Sequence, residues 1–313
     1  MFLPYPIAKS DELRILVGVD TRLLRTFITL ARTESFTMTA DELHMAQSTV
    51  SAQIKVLEGE LHARLFDRLP AGTRLTDTGR RLLDEAAGVL DAEARLRAVA
   101  TEEGPPTGRV VLAAGETLCS SRLPQVVVTL RRAYPGIDIE LHPSGTEDAV
   151  AGVRSAQIDL ALLLEEHTEY ADLQLACIGH ERLVLVSAPG HPLSGRDRPV
   201  DWEELAHESF FLHEQGCSYS DRLARELTAI PGAQPRLTRF GSIEAARSCV
   251  AAGLGLTVLP RVTVEPMLAD GRLQLVPGPT LPDVPVQLVR HRKRWETPAA
   301  RAVWDELVRC FQS

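Results

Sequence analysis

The sequence lacks the features of several protein classes. Aromatic residues make up 5% of its 313 residues, and its five cysteines form an odd number with no Cys-x-x-Cys pair. A disulfide scaffold and a tetrahedral zinc site are therefore not predicted, and we expect neither metal nor cofactor. No apolar run approaches the roughly 18 residues of a membrane helix, and no export signal is visible. These absences predict a protein of the reducing cytoplasm with no membrane partner.

A net positive charge is also absent. Lysine and arginine total 34 and acidic residues 42, a formal net charge of −8. This balance excludes a strongly basic nucleic-acid coat but allows local DNA binding, because only the docking face has to be positive. With 44% hydrophobic and 24% charged residues, the composition is that of an ordinary globular protein. At roughly 150 residues per domain, the length predicts about two domains.

The first part of the chain is predicted to be helical. Residues 1–18 have little pattern and are predicted to be a disordered or extended N-terminus. Residues 19–77 are predicted to form one domain, with three helices and then a small β-wing around Pro70 and Gly72. Apolar residues share one face of the first helix and one face of the third; they are Leu23, Leu24, Phe27, Leu30, Val50, Ile54 and Leu57.

A long helix is predicted next, within residues 78–103. Leu82, Ala86, Val89 and Leu96 have a 4-3-7 spacing that is close to a heptad seam, with Glu93 interrupting it. Such a seam predicts dimerisation through this linker helix, and packing of the helix on its own domain explains the pattern equally well. Two prolines between two glycines then end the helix at residues 104–108.

Residues 108–313 alternate between strand and helix patterns. Apolar strand-like runs, such as residues 110–114 and 160–164, are followed by amphipathic helical runs, such as residues 123–133. This alternation is typical of an α/β fold with a mainly parallel sheet flanked by helices. Residues 273–289 could return the chain to the first sheet.

Residues 36–55 have the spacing of a helix-turn-helix. Small Ala40 allows two helices to approach closely, and Leu43 would help to fill the core between them. The outward face of the second of these helices carries short, amide or basic side chains, which can enter the major groove of DNA. These residues are Gln47, Ser48, Thr49, Ser51, Ala52 and Lys55. A plain three-helix bundle with a polar surface is the alternative.

The segment from residue 24 to residue 79 resembles the DNA-binding domain of the LysR-type transcriptional regulators. The matching residues are Ser35-Phe36-Thr37, Ala40, Leu43-His44, Gln47-Ser48-Thr49-Val50-Ser51, Gln53-Ile54, Leu57-Glu58, Leu61, Leu65-Phe66-Asp67-Arg68 and Leu75-Thr76-Asp77-Thr78-Gly79. Thr39 departs from the usual alanine, and Ala52 from the usual arginine or other polar residue.

The resemblance implies an N-terminal winged helix-turn-helix domain that binds double-stranded DNA at promoters. The candidate DNA-binding residues are Thr37, Gln47, Ser48, Thr49, Ser51, Gln53, Lys55, Arg68, Arg74 and Thr76. Between residues 20 and 78 the chain has seven basic and eight acidic residues. Since non-specific binding scales with the phosphates neutralised, we expect it to be weak here.

The resemblance continues through residues 123–135, 157–161, 191–193 and 253–260. It implies a two-lobed, periplasmic-binding-protein-like effector domain, with lobe I at about 108–177 and 277–313 and lobe II at about 178–276. It also implies a homodimer or homotetramer and a small-molecule effector between the lobes, but no enzymatic activity.

Three predicted helix starts face such a cleft. Their free N–H groups favour an anionic effector, although serines at helix starts are also expected as simple caps. The candidate residues are Thr117, Cys119, Ser120, Gly216, Cys217, Ser218, Gly241 and Ser242. A family Gly-Cys-x-Tyr-Arg motif is matched here except that Ser220 replaces the arginine.

Three alternatives stay open from the sequence. Cys119 and Cys217 could sense thiols or oxidants, because a helix start lowers a thiol pKa, or could be small pocket residues. The chain could also be a solute-binding or enzymatic α/β protein with a helical interaction domain. No GxSxG, HExxH or Walker motif supports an enzyme, and a binding protein leaves residues 20–101 without a role.

Overall fold

The computed structural model describes residues 20–69, 72–100, 104–166, 169–213 and 216–312. The predicted N-terminal extension, residues 1–18, lies outside these ranges. The chain forms two compact units that meet in the sequence at Glu93 and Ala94. No helix in the described ranges is long and apolar enough to cross a membrane.

The first unit contains three helices, a two-stranded wing and most of a long helix. In chain order these are α1 (Thr21–Thr33), α2 (Phe36–Glu42), α3 (Gln47–Glu60), β1 (Phe66–Leu69), β2 (Gly72–Leu75) and α4 (Asp77–Ala100). Asp20 caps α1 and Ser35 caps α2 through side-chain oxygens that accept backbone N–H bonds. The strands pair antiparallel as a hairpin. The predicted helices and wing are confirmed, with ends that differ by one or two residues.

The core of this unit is the predicted apolar stripe. Phe27, Leu30 and Leu57 are fully buried, and the ring of Phe27 meets that of Phe66 edge-on at 5.6 Å between centroids. On α4, Ala86 is buried and Leu82 packs against the same core. Leu82 and Ala86, the first half of the predicted heptad seam, therefore belong to the core of their own domain and not to a dimer interface.

Thr39, the departure from the family alanine, has a structural role. Its side chain is fully buried, its hydroxyl lies 2.6 Å from that of Thr33, and it donates to the Ser35 carbonyl. A buried hydroxyl needs such partners, because an unpaired one costs free energy.

We expect Thr39→Val, which keeps the shape and removes the hydroxyl, to lower the free energy of unfolding by about 1–2 kcal/mol. The half-buried Thr33 hydroxyl then loses its contact with Thr39 and keeps the Ser35 carbonyl as an acceptor at 3.2 Å. Urea unfolding of the full chain measures the change, and Thr37→Val on the exposed face of the same helix is the control. Equal stability of the two variants would contradict this assignment.

The second unit contains two five-stranded sheets. The first is formed by β3 (Gly108–Ala114), β4 (Ile137–Pro143), β5 (Leu160–Leu164), β6 (Leu173–Glu181) and β12 (Val284–His291), in the order β4-β3-β5-β12-β6. The second is formed by β7 (Leu183–Ser187), β8 (Ser209–His213), β9 (Arg236–Phe240), β10 (Leu256–Pro260) and β11 (Gln274–Leu275), in the order β11-β7-β10-β8-β9. The chain passes from one sheet to the other at Arg182, four residues later than the predicted boundary at about 177–178, because β6 continues in the first sheet to Glu181. It returns to the first sheet before β12, within the predicted residues 273–289.

Helices cover the two sheets. They are α5 (Glu116–Ser121), α6 (Leu123–Ala133), α7 (Thr146–Arg154), α8 (Trp202–Leu205), α9 (Ser218–Thr228), α10 (Ile243–Ala251), α11 (Arg261–Ala269) and α12 (Pro298–Gln312). Each sheet has its own buried cluster of aliphatic side chains. The two-lobed α/β fold is confirmed.

The expectation of mainly parallel sheets is wrong in one respect. β12 runs antiparallel to β5 and β6, and β7 runs antiparallel to β10 and β11. β7 and β12 are the strands that follow the two crossings between the lobes. Each therefore enters its sheet from the neighbouring lobe and not from a preceding helix on the same sheet. Both sheets are therefore mixed, with a parallel half that positions the site described below.

Candidate DNA-binding face and effector cavity

The outer face of α3 is polar and exposed. Gln47, Ser48, Thr49 and Lys55 are exposed, whereas Ser51 is half-buried. Val50, Ile54 and Leu57 are buried on the opposite face, which fixes the orientation of the helix.

The start of α3 is suited to an anion. Its N-cap, Ala46, supplies no side-chain hydrogen bond, and its first turn contains no acidic residue. The free N–H groups and the positive end of the helix dipole are therefore available to a phosphate. The acids of this helix, Glu58 and Glu60, lie at its other end, and Glu58 accepts hydrogen bonds from the backbone of Leu65 and Phe66.

Two predicted DNA-binding residues are used inside the domain. The Gln53 side-chain oxygen accepts a hydrogen bond from the buried Thr26 hydroxyl on α1. The Thr76 hydroxyl donates to the Arg64 carbonyl and accepts from the Gly79 N–H at the start of α4. Both residues therefore support the fold, and their contact with DNA stays a prediction.

The remaining candidates flank α3 in the sequence. Thr37 is exposed in the first turn of α2, and Arg74 is exposed on β2 of the wing. The side chain of Arg68 lies outside the described part of the chain. Two arginines of this unit are already paired with acidic residues, Arg22 with Asp20 and Arg32 with Glu42.

We expect Arg74→Ala to weaken binding to all DNA sequences and to reduce the slope of log affinity against log salt by about one. The reason is the loss of one cation that can neutralise a phosphate. Arg22→Ala is the matched control, since Arg22 is already paired with Asp20. Fluorescence anisotropy at several salt concentrations measures both slopes, and identical slopes would remove Arg74 from the contact surface.

The second unit contains a cavity of about 600 Å³. Its walls come from both lobes, at the carboxyl ends of β3, β4, β5 and β8 and at the starts of α5, α7 and α9. The lining residues are Gly115, Glu116, Thr117, Ser144, Gly145, Thr146, Glu147, Asp148, Leu162, Leu163, Leu164, Glu165, His213, Gly216, Cys217, Tyr219 and Asp221. Small ligands of open α/β folds bind at this end of the strands.

Some of the predicted effector-binding residues meet at this cavity. Thr117, Gly216 and Cys217 line it, and the Thr117 hydroxyl lies 3.3 Å from that of Tyr219 on the other lobe. The predicted residues that are not part of the lining are Cys119, Ser120, Ser218, Gly241 and Ser242.

Internal hydrogen bonds account for the three serines. Ser120 donates back to the Glu116 carbonyl, and Ser218 donates to the Leu164 carbonyl at 2.6 Å. Ser242 donates to the Glu116 carboxylate.

Two of the helix starts predicted to bind an anion hold carboxylates of the chain itself. Glu116 accepts from the Ile243 N–H at 2.9 Å and from the Ser242 hydroxyl at 3.3 Å, at the start of α10. Asp221 accepts from the Gly216 N–H at 2.9 Å, just before α9. These two donors are not free for a ligand, which removes part of the argument for an anionic effector; the charge of the effector stays a prediction.

The two cysteines near the cleft do not have activated thiols. Burial and the nearby Glu116 raise the pKa of Cys119 to about 11, and burial raises the pKa of Cys217. The expectation that a helix start lowers these pKa values is wrong, because desolvation of the thiolate outweighs the helix dipole.

Fourteen of the lining residues lie outside the predicted set, and five of them are acidic. Glu165 follows β5, His213 ends β8, and Tyr219 lies in the first turn of α9. The loop after β4 contributes Ser144 and residues 145–148. The sequence could have indicated these residues by their positions at the ends of buried strands. Local patterns do not show, however, which strand ends face one another in the fold.

Glu165 is a carboxyl group in an unfavourable environment. Burial and the charges of Asp221 and Glu166 raise its pKa, although the Thr146 hydroxyl donates to it at 2.7 Å. Because the folded pKa exceeds the unfolded one, stability falls as the pH rises from the usual value of about 4.3 through the folded pKa.

We therefore expect Glu165→Gln to raise the thermal unfolding midpoint at pH 7, because it removes the cost of the ionised carboxylate. The gain should vanish below about pH 4, where both folded and unfolded chains hold the proton. Glu226→Gln, at an exposed position on α9, is the control. A lower midpoint at pH 7 for the Glu165 variant alone would contradict the expected cost.

Both parts of the chain match known sequence families. Residues 21–80 match "Bacterial regulatory helix-turn-helix protein, lysR family", and residues 103–312 match "LysR substrate binding domain". The HTH-type transcriptional regulator YwqM of Bacillus subtilis is 30% identical over 94% of this chain and 100% of its own length. The chain therefore belongs to the LysR-type transcriptional regulators.

Solved structures share the fold. A full-length OxyR variant from Pseudomonas aeruginosa has a TM-score of 0.74 at 24% identity and covers 94% of each chain. Full-length LysG from Corynebacterium glutamicum with the bound effector arginine has a TM-score of 0.60 at 20% identity, covering 93% of this chain and 97% of its own.

Membership assigns a general role. LysR-type regulators bind DNA through the helix-turn-helix and small molecules through the second domain, and they form oligomers. They are transcriptional regulators and not enzymes. The alternatives of an enzyme or a free-standing solute-binding protein are therefore set aside.

Proposed function

We propose that the chain binds promoter DNA through the exposed residues of α3 and that an effector in the 600 Å³ cavity controls this binding or the bending of the DNA. The division into residues 19–77 for DNA, 78–103 for the linker helix and 108–313 for the effector is part of the proposal. So is a location in the cytoplasm. The observation that carries it is the cavity itself, whose walls come from both lobes, so that a ligand there contacts both of them at once.

The size of the cavity supports a small organic effector. Ligand cavities typically measure about 300–1,000 Å³. The structure of LysG contains arginine as its bound effector, and a molecule of that size is compatible with the volume here. Effectors shift such equilibria by their different affinity for two states, typically by about 1–3 kcal/mol.

The long helix α4 supports a homodimer or a homotetramer as the working form. Val89 and Leu96, the second half of the predicted seam, are apolar and exposed, Leu96 by 73%. Exposed apolar side chains on one long helix are favourable sites for a second copy of the same helix. Light scattering of the purified chain distinguishes dimer from tetramer.

A gel shift tests DNA recognition. The full chain is titrated onto the DNA directly upstream of its own gene, with excess non-specific competitor. We expect a shifted band that the double variant Gln47→Ala, Ser48→Ala loses, because both residues lie exposed at the start of α3. Arg22→Ala should keep the band. A band that persists in the double variant would place recognition elsewhere.

A further inference from the structure

The cavity is acidic. Its lining includes the carboxyl groups of Glu116, Glu147, Asp148, Glu165 and Asp221, and His213 is the one basic side chain among the described lining residues. A cavity of one charge sign concentrates ligands of the opposite sign. An acidic lining favours a cationic ligand, whereas the helix starts alone predict an anionic one.

Two of these carboxylates already have strong partners. Asp221 forms a 2.7 Å ion pair with Arg239 and also accepts the Gly216 N–H. Glu116 accepts from the start of α10. Arg239 neutralises Asp221, and hydrogen bonds from the start of α10 stabilise the Glu116 carboxylate.

Glu165 differs from both. In the described part of the chain its partner is the Thr146 hydroxyl, and no arginine or lysine lies within ion-pair distance of it. Its pKa is raised by burial and by Asp221 and Glu166. A ligand that filled the cavity would remove more water from this carboxylate, and a cationic group on the ligand would recover that cost at neutral pH.

His213 gives an independent sign of a missing partner. Its side chain is 10% exposed, and its Nε2 atom makes no hydrogen bond among the described residues. The nearest charged atom is a Glu116 carboxylate oxygen at 3.6 Å, beyond hydrogen-bond distance. A buried polar atom in a cavity wall normally has a partner, so its absence points to a ligand.

We infer that the effector carries an organic cation, an ammonium or a guanidinium group, that binds the Glu165 carboxylate inside the cavity. This inference rests on the proposed effector role of the cavity. A metal ion is not favoured, because the described residues contain no group of three or more His, Cys, Asp or Glu arranged to hold one. The volume of about 600 Å³ also fits an organic molecule far better than a single ion.

The test uses probes of one length and different charge. Isothermal titration of the full chain with cadaverine, pentanediol and glutarate compares two positive groups, two hydroxyls and two carboxylates on the same five-carbon chain. Arginine and agmatine form a second pair, which differs by one carboxylate. We expect binding by at least one of cadaverine, agmatine and arginine, and none by pentanediol or glutarate.

Substitutions then assign the site. Glu165→Gln should weaken cation binding at least about tenfold, because a neutral amide replaces the carboxylate. Glu226→Gln, exposed on α9, should leave it unchanged. Failure of all three cations to bind, tighter binding of glutarate, or equal cation affinity in the Glu165 variant would each overturn the inference.

The gel shift separates this inference from the proposed function. If the chain binds its upstream DNA but none of the cations, the cationic effector is wrong and DNA recognition stands. The probe series on the unmodified chain remains decisive even if a variant folds poorly.

Discussion

The pairing of Glu116 with the start of α10 is the contact on which the arrangement of the effector domain depends. The carboxylate belongs to α5 on one lobe, and the N–H of Ile243 and the hydroxyl of Ser242 belong to the other. A helix start left without acceptors costs free energy, and a carboxylate near it is stabilised by the dipole. One side chain therefore holds the lobes in register. The contact of Thr117 with Tyr219 and the bond from Ser218 to the Leu164 carbonyl lie on the same boundary.

This constraint also decides the chemistry of the cavity. Once Glu116 and Asp221 satisfy the donors at two helix starts, those donors are lost to a ligand and the negative charges that remain dominate the lining. Glu165 then stands between like charges, with one hydroxyl as its partner. Arg239 neutralises Asp221 and Arg222 neutralises Glu166, so the arginines near the cavity are already paired. These charged groups of the protein therefore pair with one another, and the Glu165 carboxylate is left facing the space for a ligand.

Local pattern predicted most of the fold. The runs at residues 160–164 and 123–133 became β5 and α6 with the predicted ends, because apolar periodicity is a property of neighbouring residues. Strands β6 and β9 were not predicted: both alternate weakly, and Arg236 and Arg239 interrupt the second. Strand direction was predicted less well, since the antiparallel position of β12 depends on where the chain crosses between lobes.

The candidate sites show the same contrast: features set by local pattern were predicted, and features set by distant contacts were not. The exposed face of α3 follows from helical spacing, since burial of Val50, Ile54 and Leu57 determines what faces outward. The structural roles of Gln53 and Thr76 could not be predicted from the sequence, because their partners Thr26 and Arg64 lie 27 and 12 residues away in the chain. The cavity was harder still. The hydrogen-bond donors at a helix start look free for a ligand until the side chain that accepts from them is known. At the start of α10 that side chain is Glu116, which lies 127 residues from Ile243.

The basic run at residues 290–294 is a cluster of charge whose arginines have partners within the fold. Arg290 pairs with Glu296 and stacks on Trp304 at 4.3 Å, and Arg294 donates to the Val153 carbonyl at the end of α7. These guanidinium groups satisfy carbonyls and carboxylates that the fold would otherwise leave unpaired. A cluster of charge in a sequence is therefore ambiguous until its partners are known. The acidic cavity carries an argument for a ligand because Glu165 and His213 lack the partners that Arg290 and Arg294 have.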